Sequence, residues 1–184
     1  PENQETPDQA PVSSAVDASR RKLAGTALGV AAVFTLSSRP VWANQCTISG
    51  MMSGNLSAPR GPACAGCTPG YWQQDHHLDS WRLTGFKPTD KFNTVFGVTQ
   101  YVKSDGTPYT LLEVMRLLNG RGDPISTNLG FHAVAALLNA AHPSVNYGYT
   151  SGEIVDLFQK NYLKNGAALK DSLDNLNNRG CPLN

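Results

Sequence analysis

Four cysteines, Cys46, Cys64, Cys67 and Cys181, with none before residue 46, constrain this chain more than any other feature. An even number of cysteines in an exported chain argues for disulfides, and four of them allow three pairings. A Cys67–Cys181 bond would close nearly the whole C-terminal domain, and chain-entropy arguments value a loop of that size at about 4–5 kcal/mol. The second pair would then be Cys46–Cys64. It would tie down residues 44–66, a stretch rich in Gly, Ser, Pro and Ala with little else to order it. Two sharper readings fit less well. A redox Cys64-x-x-Cys67 pair is expected to open a helix after a strand, yet Thr68-Pro69-Gly70 follows, a turn sequence. A zinc site could draw on Cys64, Cys67, His76 and His77, but the two histidines are adjacent rather than three to five residues apart.

Ahead of the cysteines, residues 1–22 form a polar leader. Its first 18 residues are Pro, Gln, Ser and acidic side chains with almost nothing large and apolar, so on its own it is expected to be disordered. Arg20-Arg21-Lys22 then meets an apolar run, residues 23–36, followed by small residues up to Val41-Trp42-Ala43. Basic cluster, short apolar stretch and small residues before a cut have the form of a secretory signal. The paired arginines resemble a twin-arginine export signal, with Leu23 where that family usually has Phe. At about 1.5 Å per residue the run covers roughly 21 Å, short of the ~30 Å hydrocarbon core. Transient membrane passage during export is therefore expected, not a spanning anchor.

Residues 23–43 also read as an assembly helix if they are retained. Gly25 and Gly29 fall on one helical face, where a second helix can approach closely. Leu23, Ala27, Val30, Ala31 and Phe34 add apolar contact at helical spacing. A helix apolar nearly all round must be buried somewhere, here against copies of itself or lipid.

Composition narrows the partners. Charged residues are 16% of the 184 and the formal net charge is +1, against about 25% charged in an ordinary globular chain. A nucleic-acid binder carries a basic stripe, which this balance does not provide. A low-charge surface suits self-association.

From residue 67 onward the pattern predicts helices. Thr110-x-x-Glu113 and Thr150-x-x-Glu153 are capping boxes. The first leads Val114, Leu117 and Leu118 to a stop at Gly120; the second leads Ile154, Val155, Leu157, Phe158 and Tyr162. Residues 128–141 are rich in Ala and Leu and end before Pro143, whose ring disfavours helix in the residue ahead of it. A last helix over about residues 167–178 sets Leu169, Leu173 and Leu176 on one side and stops at Gly180. Before these, Trp72, Trp81, Phe92, Val95 and Phe96 suggest two short helices over an aromatic layer, and Asp105-Gly106 suggests a hairpin within residues 99–109. The fold class predicted is mainly α: a small disulfide-linked helical domain over residues 67–184, of about four to six helices. It is preceded by an apolar N-terminal helix and the irregular linker 44–66.

Cys67-Thr-Pro-Gly-Tyr-Trp72, GFKPTDKF at 85–92, VFGV at 95–98, HAVAALLN at 132–139, Val145-Asn-Tyr147 and Gly180-Cys-Pro-Leu183 occur in that order. Together they resemble a small domain of uncharacterised bacterial exported and cell-surface proteins. The resemblance implies an extracellular or cell-surface address and, because its ends contain Cys67 and Cys181, that pairing; it implies no activity and no catalytic residues. Members often carry Lys near Gln73 or Gln74, where this chain is uncharged.

Asp75, His76, His77 and Asp79, flanked by Trp72 and Trp81, are the densest polar cluster, and His76 and His77 are the candidate metal ligands. The alternative is a partly exposed helix with its tryptophans in the core. His132, in an apolar helix, reads as a core histidine bonded to a backbone carbonyl, and His142 as a helix end where positive charge suits the dipole. Arg121-Gly122-Asp123 matches an adhesion tripeptide and equally an ordinary turn. No Gly-rich phosphate loop follows a strand and no Ser sits in a Gly-x-Ser-x-Gly elbow. No catalytic residue and no cofactor is assigned. The leading expectation is a non-enzymatic extracellular subunit that partners copies of itself. An exported metal-binding protein or metal-dependent enzyme is the first alternative, and an adhesion or ligand-binding module using the aromatic surface around Trp72 and Trp81 is the second.

Overall fold

Both Thr-x-x-Glu boxes start helices. In the computed structural model, which describes residues 46–48, 63–117 and 122–184, Thr110 Oγ1 accepts from the Glu113 N–H while a Glu113 carboxylate oxygen accepts from the Thr110 N–H at 2.8 Å. Thr150 and Glu153 repeat the exchange. Each box satisfies backbone donors that a helix start leaves unpaired.

The helices, in chain order, are α1 (Pro69–Trp72), a 3₁₀ segment (Asp75–Leu83), α2 (Phe92–Phe96), α3 (Leu111–Arg116), α4 (Leu129–Ala141), α5 (Ser151–Asn161) and α6 (Gly166–Asn177). Only isolated bridges, no strands, occur among the described residues. The mainly helical class is as the sequence predicts. Two local expectations need correction. The helix begun at Thr110 ends at Arg116, because Leu117 turns out of the helical region (ψ 90°) and its carbonyl instead accepts from Gly122 N. The expected strand pair over 99–109 is shortened to one antiparallel Val102–Pro108 bridge, flanked by bonds from Lys103 N–H to Thr107 O and Tyr109 N–H to Tyr101 O, around the expected tight turn at Asp105-Gly106, where Gly106 N–H bonds to Lys103 O.

Helix α4 is the centre of the domain, packing against α6, α5, α3 and α1. Its Ala- and Leu-rich sequence is buried on nearly every side, as an all-round apolar helix must be. It stops at His142, which takes an extended conformation ahead of Pro143. Two aromatic clusters flank it. Phe92 and Phe96 stack at 4.4 Å and meet Phe158 of α5, and Phe92 also meets Tyr101. Trp72 and Trp81 meet edge to face, and Trp81 Nε1 donates to the Trp72 carbonyl at 3.0 Å.

A polar knot sits inside this apolar frame. Asn139 of α4 is wholly buried. Its Oδ1 accepts from Cys67 N–H (2.9 Å) and Trp72 Nε1 (3.1 Å), and its Nδ2 donates to Cys67 O (2.8 Å) and Asn177 Oδ1 (3.0 Å). Asn177 of α6 also accepts from the Tyr147 hydroxyl (2.8 Å) and donates to His132 O (3.0 Å). All four bonds an amide side chain can make are thus formed at Asn139, which locks α1, α4 and α6 into one register.

Candidate functional site

The cysteines pair as Cys46–Cys64 and Cys67–Cys181, and no described cysteine is free. No described thiol is therefore left for redox work or for zinc. The two cystines do different things. Cys67 is fully buried, its backbone held on both sides by Asn139, so its bond to Cys181 joins the first and last turns of the domain.

Cys46–Cys64 instead fastens an arm to a face of the domain. That face is the loop after α4, residues 145–149, together with Arg179 beyond α6. Cys46 is 3% exposed, and its carbonyl accepts from the Arg179 guanidinium. Ile48 N–H donates to the Tyr149 hydroxyl at 3.0 Å. On the returning segment, Asn146 Nδ2 donates to Ala63 O (3.2 Å), Ala65 N–H to Asn146 O and Gly66 N–H to Gly180 O (both 3.0 Å). Gly148 makes the fit possible: its φ of +92° suits glycine, and a Cβ there would lie 2.5 Å from Cys46 Cβ. Burial pushes the Tyr149 hydroxyl above the ordinary phenol range and pulls Arg179 below the usual guanidinium range. Nothing in the sequence pattern marked Tyr149 and Arg179 as a docking pair; the Tyr-Gly-Tyr spacing around Gly148 was the available signal.

His76 and His77 sit side by side on the 3₁₀ segment, rings 4.1 Å apart, with His77 stacked on Tyr71 at 4.0 Å. Desolvation, and then the neighbouring His76, hold the His77 imidazole below its usual range. The surrounding carboxylates are engaged elsewhere: Asp75 pairs with Arg116 at 2.6 Å and Asp79 with Arg82 at 3.4 Å. Among the described residues no three His, Cys, Asp or Glu side chains come together in a way that could hold a metal ion.

The tryptophans form no surface. Trp72 and Trp81 are 0% and 1% exposed, because each is turned inward by its own indole hydrogen bond. A shallow cleft of about 480 Å³ beside Trp81 is lined by Leu78, Phe86 and Pro88 with Asp79, Arg82 and Lys87. Asp123 of the adhesion-like tripeptide is likewise taken up internally; Arg121 lies outside the described residues. The Asp123 carboxylate accepts from the N–H groups of Ile125 (2.9 Å), Ser126 (3.1 Å) and Gly130 (2.5 Å) and from the Tyr101 hydroxyl (3.2 Å). It is the true cap of α4, because Asn128 adopts a left-handed conformation (φ 66°) and makes no side-chain cap. Burial raises the Asp123 carboxyl against the pull of those four donors, and burial beside that carboxylate drives the Tyr101 hydroxyl far above the phenol range.

Two histidine expectations change. His132 is buried, but its Nδ1 has no hydrogen-bond partner and faces Asp174 Oδ1 at 3.7 Å rather than a backbone carbonyl. His142 does end α4, yet its Nδ1 accepts from Ser144 N–H at 3.2 Å and burial holds its imidazole below the usual range, so the ring is a neutral cap and not a dipole-matched cation. The assembly residues Leu23, Gly25, Gly29, Val30 and Phe34 lie outside the described residues. No described helix is long and apolar enough to cross a membrane, and two disulfides fit an oxidising compartment. Comparison with protein-family models, curated proteins and solved structures gives no match.

Proposed function

We propose that this chain is a non-enzymatic extracellular structural subunit that self-assembles into a filament, pilus-like fibre or surface layer. The observation that carries the reading is the apolar run 23–36 with its Gly25-x-x-x-Gly29 face, a segment suited to close helix packing. It leads into an arm that the domain grips at Cys46. The domain's own polar groups support the same reading: Asn139, Asn177, Asp123 and Glu113 are spent on holding helices together. The likeness of the leader to a twin-arginine signal agrees with export in a folded state.

The test replaces Gly25 or Gly29 with Leu. Each substitution should abolish assembly, read by sedimentation and electron microscopy, while the helical circular dichroism and melting of the domain stay at wild-type values. Normal assembly by both variants would overturn the reading. Intact mass of the assembled protein supplies the companion check, since assembly through residues 23–36 requires that they be retained.

A further inference from the structure

We propose that the surface around the cleft beside Trp81 is a contact between copies of this chain, in which Leu83 of each copy fills the cleft of the other about a two-fold axis. The inference rests on the reading of this chain as a self-assembling subunit, and adds to it a contact that does not use residues 23–36.

Three large apolar side chains are exposed among the described residues: Leu83, Val102 and Leu163. Leu83, 63% exposed, ends the 3₁₀ segment, and residues that line the cleft stand on both sides of it in sequence, Arg82 before and Gly85 after. A projecting leucine and a hollow walled by Leu78, Trp81, Phe86 and Pro88 therefore share one face. An apolar patch with a charged rim marks a contact surface. Because knob and hole belong to the same face of the same chain, the face is complementary to itself, and a two-fold axis seats both knobs at once.

The charges of the rim fit the same symmetry. Asp79 stands near the start of the stretch 78–88 and Lys87 near its end. A two-fold axis runs the two stretches in opposite directions, which brings Asp79 of each copy toward Lys87 of the other. The present Asp79–Arg82 pair is no obstacle, since it is 3.4 Å long with both side chains in solvent, and such pairs are worth little. The Lys87 ammonium makes no ion pair among the described residues. The face is also held ready. Thr84 Oγ1 donates to Trp81 O at 2.7 Å and accepts from Phe86 N–H at 3.1 Å, and Lys87 N–H donates to an Asp90 carboxylate oxygen at 2.8 Å, so little of the loop has to be ordered on contact. A shallow cleft of about 480 Å³ places the contact at the weak end of protein interfaces, where it acts on copies already held close together.

The test uses the full chain carrying Gly25→Leu, which removes helix packing through residues 23–36. Sedimentation equilibrium of that chain should show monomers passing to dimers at roughly 10–100 µM. Adding Leu83→Asp should weaken the dimer by about tenfold or more with no change in circular dichroism, since the side chain is exposed. Lys87→Glu should weaken it as well, and Lys87→Glu combined with Asp79→Lys should recover most of that loss, a rescue that opposite charges facing across the axis require. A Gly25→Leu chain that stays monomeric to about 1 mM overturns the inference and leaves assembly through residues 23–36 standing; a dimer unmoved by Leu83→Asp overturns it too. If the double charge variant is as weak as Lys87→Glu alone, the two-fold pairing is overturned. If Gly25→Leu still builds large assemblies, the N-terminal reading is what has failed, and Leu83→Asp then decides the face within them: smaller species support it, unchanged ones overturn it.

Discussion

At the scale of single residues, the chain's most consequential side chain is an amide. Asn139 replaces what would be one more Ala or Leu in a buried helix, and it costs nothing only because each of its four hydrogen-bonding positions is met. Truncation to Ala would strand the Cys67 N–H and carbonyl and the Trp72 indole N–H away from water, so Asn139→Ala should lower stability by ~3 kcal/mol or more in a denaturant titration. A loss below about 1 kcal/mol would mean that water or a neighbour replaces the amide. The sequence offered one clue to this role, an Asn set amid Ala and Leu, but a single polar residue in an apolar run does not say what it faces. Its partners come from residues 67, 72 and 177, and only the folded chain brings them together. The same holds for Asp123, whose neighbours in sequence suggest an exposed turn, whereas its bonds run forward to Gly130.

At the scale of elements, the signals that were local in sequence were legible. Both capping boxes, the stop before Pro143 and the apolar side of α6 follow from residues three or four apart, and the structure places helices there. What depends on distant packing was not. The inward turn of Trp72 and Trp81 follows from hydrogen bonds to Asn139 and to Trp72 O, and Arg116 reaches back to Gln73 O just ahead of the 3₁₀ segment. The crossing of α4 with α3 shows how tight this packing is. Gly130 lets the start of α4 approach so closely that an added Cβ would lie 2.6 Å from Val114 Cγ1 and 2.8 Å from the Tyr101 ring. Alanine is the better helix former by about 1 kcal/mol, so propensity alone predicts that Gly130→Ala stabilises. Overpacking reverses the sign: the variant should be less stable by about 1–3 kcal/mol, measured by thermal melting. An increase in melting temperature would show that Val114 and Tyr101 can yield.

At the scale of the whole molecule, acid should loosen the domain through its buried histidines. Burial depresses the His132 imidazole, with Asp174 and Asp171 raising it and Lys170 lowering it, and burial depresses His142. The unfolded chain takes up these protons near pH 6.5, at about the unperturbed imidazole value, while the folded chain resists until lower pH. Their contribution is therefore complete above about pH 6.5 and is lost as pH falls through the folded values. Denaturation midpoints should decline below that pH, and His132→Gln should remove part of the slope; an unchanged slope would assign it to other groups. The two ends of the domain meet at Cys67 and Cys181, whose Cα atoms are 4.3 Å apart, and this arrangement decides how the molecule bears tension. A pull between Cys46 and the C-terminus runs through both covalent bridges, Cys46–Cys64 and then Cys67–Cys181, and bypasses every described helix. The line of force then enters the body at one point, Cys67, where the Asn139 amide holds the backbone, while the helices beyond it are not drawn out in series.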